Sequence, residues 1–363
     1  MPSTQEKQPT PSAYREPQVN ILCSVAGFAV PYPDSVNEKV KPSNTIFNWG
    51  GVKIAKISPE VVVKFGSHVT LSEAKSMIFV KQNTETISVP KGFACYSCGP
   101  IQRDIDDHGR LFDTYIFMSF VEGQSLDKAW ETYGSLTKHQ VTHQLKGYLG
   151  ELRQISHSNY IGSVDLGPVT NPILKSHRVK GPFDSEEAFN NAIIDAYQSK
   201  APKSHIKNFL AGMLSHKRHQ IVFTHGDLRL QNIMVKDGGV SGIVDWEFSG
   251  WYPEYWEFSK ALYVWKWQND WIEYLVQILD LITPNNGISR SFLKHVSKPD
   301  KQPLWLAARA AVSKRSDGSY CAEILTSMKD GGYQPTLLAA IGAGHINMAM
   351  RLLTSRVQLN INT

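Results

Sequence analysis

The sequence predicts an α+β protein in which a small lobe built on an antiparallel sheet precedes a larger, mainly helical lobe. Short β-branched runs dominate residues 45–121, and such runs are typical of strands. Over most of residues 122–295 apolar side chains recur at helical spacing, which indicates amphipathic helices. A strand–turn–strand pattern interrupts the helical part at 221–248, and it contains the most informative motif of the chain.

The small lobe is predicted from four strand-like runs and one helical run. The runs GVKIAKI (51–57) and EVVVKFG (60–66) are separated by SPE and predict a hairpin. Residues 71–84 change to helical periodicity, and two further strands are predicted at 93–97 and 113–121. The expected order is therefore two strands, a helix and two strands.

The helical lobe is predicted from long amphipathic patterns. Residues 137–155 carry an apolar stripe, and residues 185–198 begin at Ser185, a good N-cap residue, with two acidic residues in the first turn. Helical patterns resume over 256–282, after the interruption. These segments predict a lobe of several packed helices around one short strand pair.

The two ends of the chain differ from its middle. Residues 1–44 are rich in Pro, Ser, Gln and Lys, which predicts a partly disordered tail. Residues 300–363 hold an internal repeat, since QPLWLAA (302–308) returns as QPTLLAA (334–340) at an offset of 32. The repeat resembles the α-helical ankyrin repeat, and a repeat pair suits a protein partner. The alternative is that these segments are the final helices of the preceding lobe.

Composition argues against several classes of protein. A net charge of +5 over 363 residues is modest, and the short basic stretches lack interleaved aromatic residues, so we expect no nucleic-acid partner. We expect no membrane span, because no window offers 18 clean apolar residues, and no secretory signal at the polar N-terminus. Four cysteines do not make a disulfide framework, and this favours a reducing, cytoplasmic setting.

The stretch FTHGDLRLQNIMVKDGGVSGIVDWEFSG (223–250) predicts a phosphoryl-transfer site. Asp227 precedes Asn232 by five positions, which is the step between the base and the metal-binding Asn of kinases. Two strand-like runs joined by KDGG predict a hairpin that brings Asn232 and Asp245 toward the same ion. Magnesium binds such amide and carboxylate oxygens. The alternative is that both acids serve only as turn residues.

The joint pattern T-H-G-D-L-x-x-x-N and I-V-D-W-E resembles the catalytic and metal-binding loops of the aminoglycoside phosphotransferase and choline kinase-like family. The following SGWYPEYWEFSKAL (249–262) resembles a segment of its fungal-type members. The resemblance covers residues 45–290 and implies a bilobal protein kinase-like fold that uses ATP and Mg2+. It also implies that Asp227 is the catalytic base and that Asn232 and Asp245 are the magnesium ligands.

The same resemblance implies roles for two neighbours of the base. His225 would brace the catalytic loop. Arg229 stands two residues after Asp227, where protein kinases carry a lysine that contacts the transferred phosphate. A guanidinium binds phosphate well, although an ordinary surface role is the alternative for this residue.

The nucleotide-binding residues are expected in the small lobe and at its exit. Lys64 would bind phosphate, and Glu73 on the following helix would orient it. Backbone groups near Ser119 to Val121 would contact the adenine. The stretch FNWGG (47–51) falls short of a glycine-rich phosphate loop, so the segment that covers the phosphates stays unassigned.

We therefore expect a kinase that phosphorylates the hydroxyl of a small molecule, an amino sugar, an amino alcohol or a secondary metabolite. The alternative is a catalytically weak or inactive kinase-like scaffold that recruits a partner through its ankyrin-like end. A protein kinase is disfavoured because no A-P-E-like phrase follows Asp245. Four aromatic residues after the metal loop either stack on the acceptor or form core: Trp251, Tyr252, Tyr255 and Trp256.

Overall fold

The computed structural model describes residues 16–103, 110–157, 159–172, 174, 178–198, 219–261 and 269–279, which form two compact units. The first unit takes its residues from Met1–Leu71 and Lys91–Phe120, and the second from Ser72–Pro90 and Val121 onward. The predicted repeat pair at 300–363 lies outside the described residues.

The first unit is a six-stranded antiparallel sheet in the order β1-β5-β6-β4-β3-β2. Its strands are β1 (Gln18–Ser24), β2 (Thr45–Trp49), β3 (Val52–Lys56), β4 (Val61–Gly66), β5 (Gly92–Gly99) and β6 (Asp113–Ser119), and its helix is α1 (Pro33–Lys39). The predicted hairpin is confirmed as β3–β4, in which Ile54 is opposite Lys64. The predicted strands at 93–97 and 113–121 are confirmed as β5 and β6.

The core of this unit lies on one face of the sheet. Side chains that alternate along β4, β5 and β6 bury Val63, Phe65, Tyr96 and Phe117 against Val36 of α1. This alternation follows from the two-residue period of a strand. Lys64 points to the other face, because it lies between Val63 and Phe65, and it is 5% exposed.

The tail expected over residues 1–44 contains three elements in its described part, which are β1, α1 and a short 3-10 helix at Pro42–Asn44. Little in the sequence indicates β1, because most of its residues are exposed and the alternation of polar and apolar side chains over residues 18–21 ends at Leu22 and Cys23. The helix α1 begins at Pro33, and Val36 is its buried residue. Its short length explains why no helical period is visible there.

The second unit is mainly helical and contains two small antiparallel sheets, β10-β9-β7 and β11-β8. Its helices are α2 (Leu71–Asn83), which begins at the boundary of the first unit, α3 (Leu126–Ala129), α4 (Ser135–Gln154), α5 (Glu186–Gln198), α6 (Trp256–Ala261) and α7 (Trp271–Ile278). Its strands are β7 (Gln124–Ser125), β8 (Ile221–Thr224), β9 (Ile233–Lys236), β10 (Gly239–Ile243) and β11 (Gly250–Pro253). The predicted cap is present, since the Ala188 N–H donates to Ser185 Oγ at 3.2 Å.

The aromatic residues that follow the metal loop belong to the core. Trp251, Tyr252, Tyr255 and Trp256 are each at most 5% exposed. Tyr252 stacks on Trp256 with ring centroids 5.4 Å apart, and Phe189 of α5 packs edge-on against both. The core alternative is therefore confirmed for these four side chains. Among the described residues, no helix has the length and apolar character needed to cross a membrane.

Candidate active site

The predicted catalytic loop, residues 225–232, follows β8 and closes on itself through Asn232. The Asn232 amide nitrogen donates to the backbone oxygen of Asp227 and to its Oδ2, both at 2.9 Å. The same nitrogen makes both contacts, so the Oδ1 atom of the Asn232 amide points away from Asp227. The five-residue step predicted from the sequence therefore fixes both the Asp227 side chain and the orientation of Asn232.

The predicted metal-binding loop, residues 244–247, is brought to the predicted catalytic loop by the hairpin of β9 and β10. Strands β9 and β10 pair with Ile233 opposite Ile243, and the turn between them has positive φ at Asp237 and Gly238. The Val244 N–H then donates to the Asn232 carbonyl at 2.9 Å. Asp245 follows with φ of 67° and ψ of 60°. This left-handed conformation is uncommon for a residue other than glycine and concentrates at functional sites.

Arg229 lies between the two acidic residues. Its Nη2 is 3.0 Å from Asp227 Oδ2 and 3.7 Å from Asp245 Oδ2. The Arg229 side chain remains 39% exposed. The structure thus brings together Asp227, Arg229, Asn232 and Asp245, four residues that the sequence assigned to one site.

Three carboxylates form a cluster that could hold a cation. Oxygens of Glu73, Asp245 and Glu247 all lie within 4.8 Å of one another. Like charges this close repel, and a divalent cation offsets that repulsion. Carboxylate and amide oxygens are the donors that Mg2+ prefers, so the donor set fits this ion. Glu247, the last residue of D-W-E, had no predicted role. Its position two residues after Asp245 was the feature of the sequence that could have indicated a second carboxylate at this site.

His225 is buried and neutral in this arrangement. Its Nε2 donates to the Val244 carbonyl at 3.0 Å, and its Nδ1 accepts from the Asp227 N–H at 3.3 Å. These two partners assign the tautomer, because a carbonyl oxygen can only accept. Burial lowers the pKa of His225 to about 4. The residue therefore links the two loops through hydrogen bonds, and its role as a brace of the catalytic loop stays a prediction.

Glu257 of α6 accepts hydrogen bonds from the backbone of the same loop. This residue was not predicted from the sequence. Its carboxylate accepts the His225 N–H at 2.6 Å and the Gly226 N–H at 3.1 and 3.2 Å. Glu257 is 2% exposed, and burial raises its pKa to about 7, although these hydrogen bonds act in the opposite direction. A helical acid thus fixes the backbone immediately before Asp227.

Burial outweighs the nearby cations in setting the pKa of Asp227, which lies above its ordinary value. Burial raises the pKa of Asp227, while Arg229 and then Lys260 lower it. Lys260 is 5% exposed on α6, with its Nζ 5.3 Å from the centroid of the Phe248 ring. It was not predicted as a site residue, because a lysine at a helical position gives no signal in the sequence alone.

The residues predicted to bind the nucleotide are divided between the two units. Lys64 lies on β4 in the first unit, whereas Glu73 lies on α2 and in the second. The Ser119 N–H donates to the Lys91 carbonyl at 2.9 Å, so this amide already has a backbone acceptor. Val121 is the first residue of the second unit after this point. The assignment of all four residues to nucleotide binding stays a prediction.

The comparison with protein families gives the class of this protein. A sequence model of the phosphotransferase enzyme family matches residues 60–284, which is well over half of the chain. The match includes the catalytic loop, the metal-binding loop and Glu257. The chain therefore belongs to the phosphotransferase enzyme family, and the resemblance based on its motifs is confirmed to that extent.

Solved structures of aminoglycoside phosphotransferases are similar to this chain at low identity. A thermostable mutant of APH(4)-Ia, in a ternary complex with ADP and hygromycin B, is 12% identical, with a TM-score of 0.48, over 85% of this chain and 92% of that one. The streptomycin–ATP complex of APH(2")-IIa is 10% identical, with a TM-score of 0.48, over 77% and 88%. No curated protein matches the sequence.

Substitution of Gly226 by Ala is expected to destabilise the protein. Gly226 has φ of +76°, and a Cβ there would collide with the Phe248 carbonyl oxygen. The left-handed conformation alone costs about 1–2 kcal/mol with a side chain, and overpacking against backbone adds about 1–3 kcal/mol. We expect Gly226→Ala to lower the free energy of unfolding, measured by urea denaturation, by about 2–5 kcal/mol.

Gly27→Ala is the matched control for this experiment. Gly27 has φ of +80°, but a Cβ there would meet no atom within 4 Å. It should therefore show the conformational cost without the collision, and the smaller loss. Equal losses for the two variants would contradict a close approach between the catalytic loop and Phe248.

Proposed function

We propose that this protein is an ATP- and Mg2+-dependent phosphotransferase that moves the γ-phosphate of ATP to a hydroxyl group of a small molecule. The observation that carries the proposal is the joined geometry of Asp227, Asn232 and Asp245 around Arg229. A family of phosphotransferases sharing this segment supports the same interpretation. The acceptor class that we propose is an amino sugar, an amino alcohol or a secondary metabolite.

In the proposed reaction Asp227 accepts the proton of the acceptor hydroxyl. Asn232 and Arg229 both contact Oδ2 of Asp227, which leaves Oδ1 as the oxygen that we assign to the proton. The acceptor oxygen forms a bond to the γ-phosphorus, the bond to the β,γ-bridging oxygen breaks, and ADP leaves. Positioning and charge neutralisation supply most of the rate in such transfers.

The residues that would hold the cation are Asn232 and Asp245. Glu73 and Glu247 offer further carboxylate oxygens within 4.8 Å of that of Asp245. When bound, Mg2+ neutralises charge on the phosphate oxygens. Arg229 is placed to contact the transferred phosphate, since its guanidinium lies between both acids and is partly exposed. We assign Lys64 and Glu73 to positioning the nucleotide, and Ser119 to Val121 to the adenine.

The test is a transfer assay with purified protein, ATP and magnesium. We expect ADP formation that depends on one class in a panel of amino sugars, amino alcohols and hydroxylated secondary metabolites, and that stops when magnesium is chelated. Thermal stabilisation by ATP and magnesium should accompany it. If neither ADP formation nor thermal stabilisation is observed, the proposal fails. A catalytically inactive, kinase-like scaffold that binds a protein partner through its C-terminal repeats then becomes the better hypothesis. Cytoplasmic location stays a prediction.

A further inference from the structure

Two cysteines of the first unit face each other across neighbouring strands. Cys23 on β1 is directly opposite Cys95 on β5, and the Cys23 thiol hydrogen-bonds to the Cys95 side chain. Directly opposed residues of antiparallel strands have Cα atoms about 4.5–5.5 Å apart. A disulfide spans Cα separations of about 4.4–6.8 Å. The two sulfurs can therefore be joined with little movement of either strand.

A bulge in β1 is what aligns the two thiols. Ile21 is opposite Tyr96, but Cys23 is opposite Cys95, so Leu22 is an extra residue in the edge strand. In a regular strand without the bulge, residues 21 and 23 would lie on the same face, because strand side chains alternate with a period of two. Bulges commonly re-aim a side chain in this way. Here the bulge directs Cys23 to the face that carries Cys95.

The two thiols differ in access. Cys23 is partly exposed between the exposed residues Leu22 and Ser24, whereas Cys95 is 1% exposed. The hydrogen bond from the Cys95 side chain lowers the pKa of Cys23 to about 7. Thiolate character and exposure are the properties of an oxidant-sensitive cysteine. Cys23 is thus suited to react first, with Cys95 as its resolving partner.

The same row of the sheet also contains Lys64. Cys95 is opposite Ile116 on β6, and Ile116 is opposite Lys64 on β4. Residues directly opposite in successive strands point to one face, and strands lie about 4.8 Å apart. The thiol pair therefore lies on the Lys64 face, with Cys95 two strands and Cys23 three strands away from the lysine. Cys98 lies on the opposite face, in the core with Tyr96.

We propose that Cys23 and Cys95 form a reversible dithiol–disulfide site that is oxidised by hydroperoxides. The Cys23 thiolate attacks one peroxide oxygen, so that an S–O bond forms, the O–O bond breaks and the departing oxygen takes a proton. The Cys95 thiol then attacks the sulfenic sulfur, the S–S bond forms, and the S–O bond breaks with loss of water. Two thiols lose two electrons, and the peroxide is reduced to water and an alcohol or a second water.

The experiment maps the crosslink in the full-length protein. Reduced protein is treated with a stoichiometric amount of hydrogen peroxide, its remaining thiols are alkylated, and it is digested with trypsin. We expect the peptide of residues 16–39 joined to that of residues 92–103, with the loss of two hydrogens and full reversal by dithiothreitol. Mapping the wild-type protein requires no substitution, so a folding defect cannot obscure the result.

Two variants assign the partner, since both Cys95 and Cys98 lie in the second peptide. Cys95→Ser should abolish the crosslink, whereas the matched control Cys98→Ser should keep it. A crosslink that survives Cys95→Ser, a Cys23 that proceeds to sulfinic acid while Cys95 stays reduced, or a link between two molecules would each overturn the proposal. None of these results depends on phosphotransferase activity.

Discussion

Asp227→Asn is expected to reduce kcat by about 10²–10⁴-fold, the usual contribution of a general base. The amide keeps an oxygen that can accept from Asn232 Nδ2 and from Arg229, so both contacts of the Asp227 side chain can persist. It cannot accept the hydroxyl proton in the same way as a carboxylate. Initial rates of ADP formation with the best acceptor of the panel measure the loss, and thermal stabilisation by ATP and magnesium should persist.

Asp237→Asn is the matched control, because it also replaces one carboxylate by an amide within residues 223–250. Asp237 is exposed in the turn between β9 and β10, and asparagine tolerates its φ of 52°. We expect its kcat to equal that of the unsubstituted protein. A kcat for Asp227→Asn within tenfold of the parent would place the base elsewhere. An equal loss in both variants would indicate damage to the hairpin rather than to chemistry.

The parts of the site that the sequence predicted are those that are close along the chain. The step from Asp227 to Asn232 and the glycine turn of the hairpin are set by residues within one short segment, and local turn chemistry decides them. The hairpin β3–β4 and the helix α2 were predictable for the same reason. Patterns of period two or 3.6 report directly on such segments.

The parts that were missed depend on contacts between distant residues. Glu257 is 32 positions from His225, and nothing at position 257 distinguishes a loop-bracing acid from any other helical glutamate. The pairing of Cys23 with Cys95 depends on a bulge, and a bulge has no regular sequence signature. The segment that forms β1 was assigned to a tail because residues 1–44 are rich in Pro, Ser, Gln and Lys. Tertiary packing, rather than propensity, determines each of these features.

Glu257→Ala is expected to lower both stability and turnover. The substitution leaves the His225 and Gly226 N–H groups without their acceptor in a buried site. Each buried donor left unpaired costs about 1–3 kcal/mol, so for two donors we expect the free energy of unfolding to fall by about 2–6 kcal/mol. Because these amides immediately precede Asp227, the base should shift, and a displacement of this kind costs about 10²-fold in kcat.

The division between kcat and KM separates positioning from a purely structural role. Glu257 acts on the catalytic loop, so its loss should lower kcat while leaving KM for ATP largely unchanged. Glu257→Gln keeps one carbonyl acceptor and should give intermediate values, which maintains the test if the alanine variant does not fold. Glu187→Ala, an exposed acid in the first turn of α5, is the control and should match the parent. If Glu257→Gln loses stability but keeps its full kcat, Glu257 supports the fold without positioning Asp227.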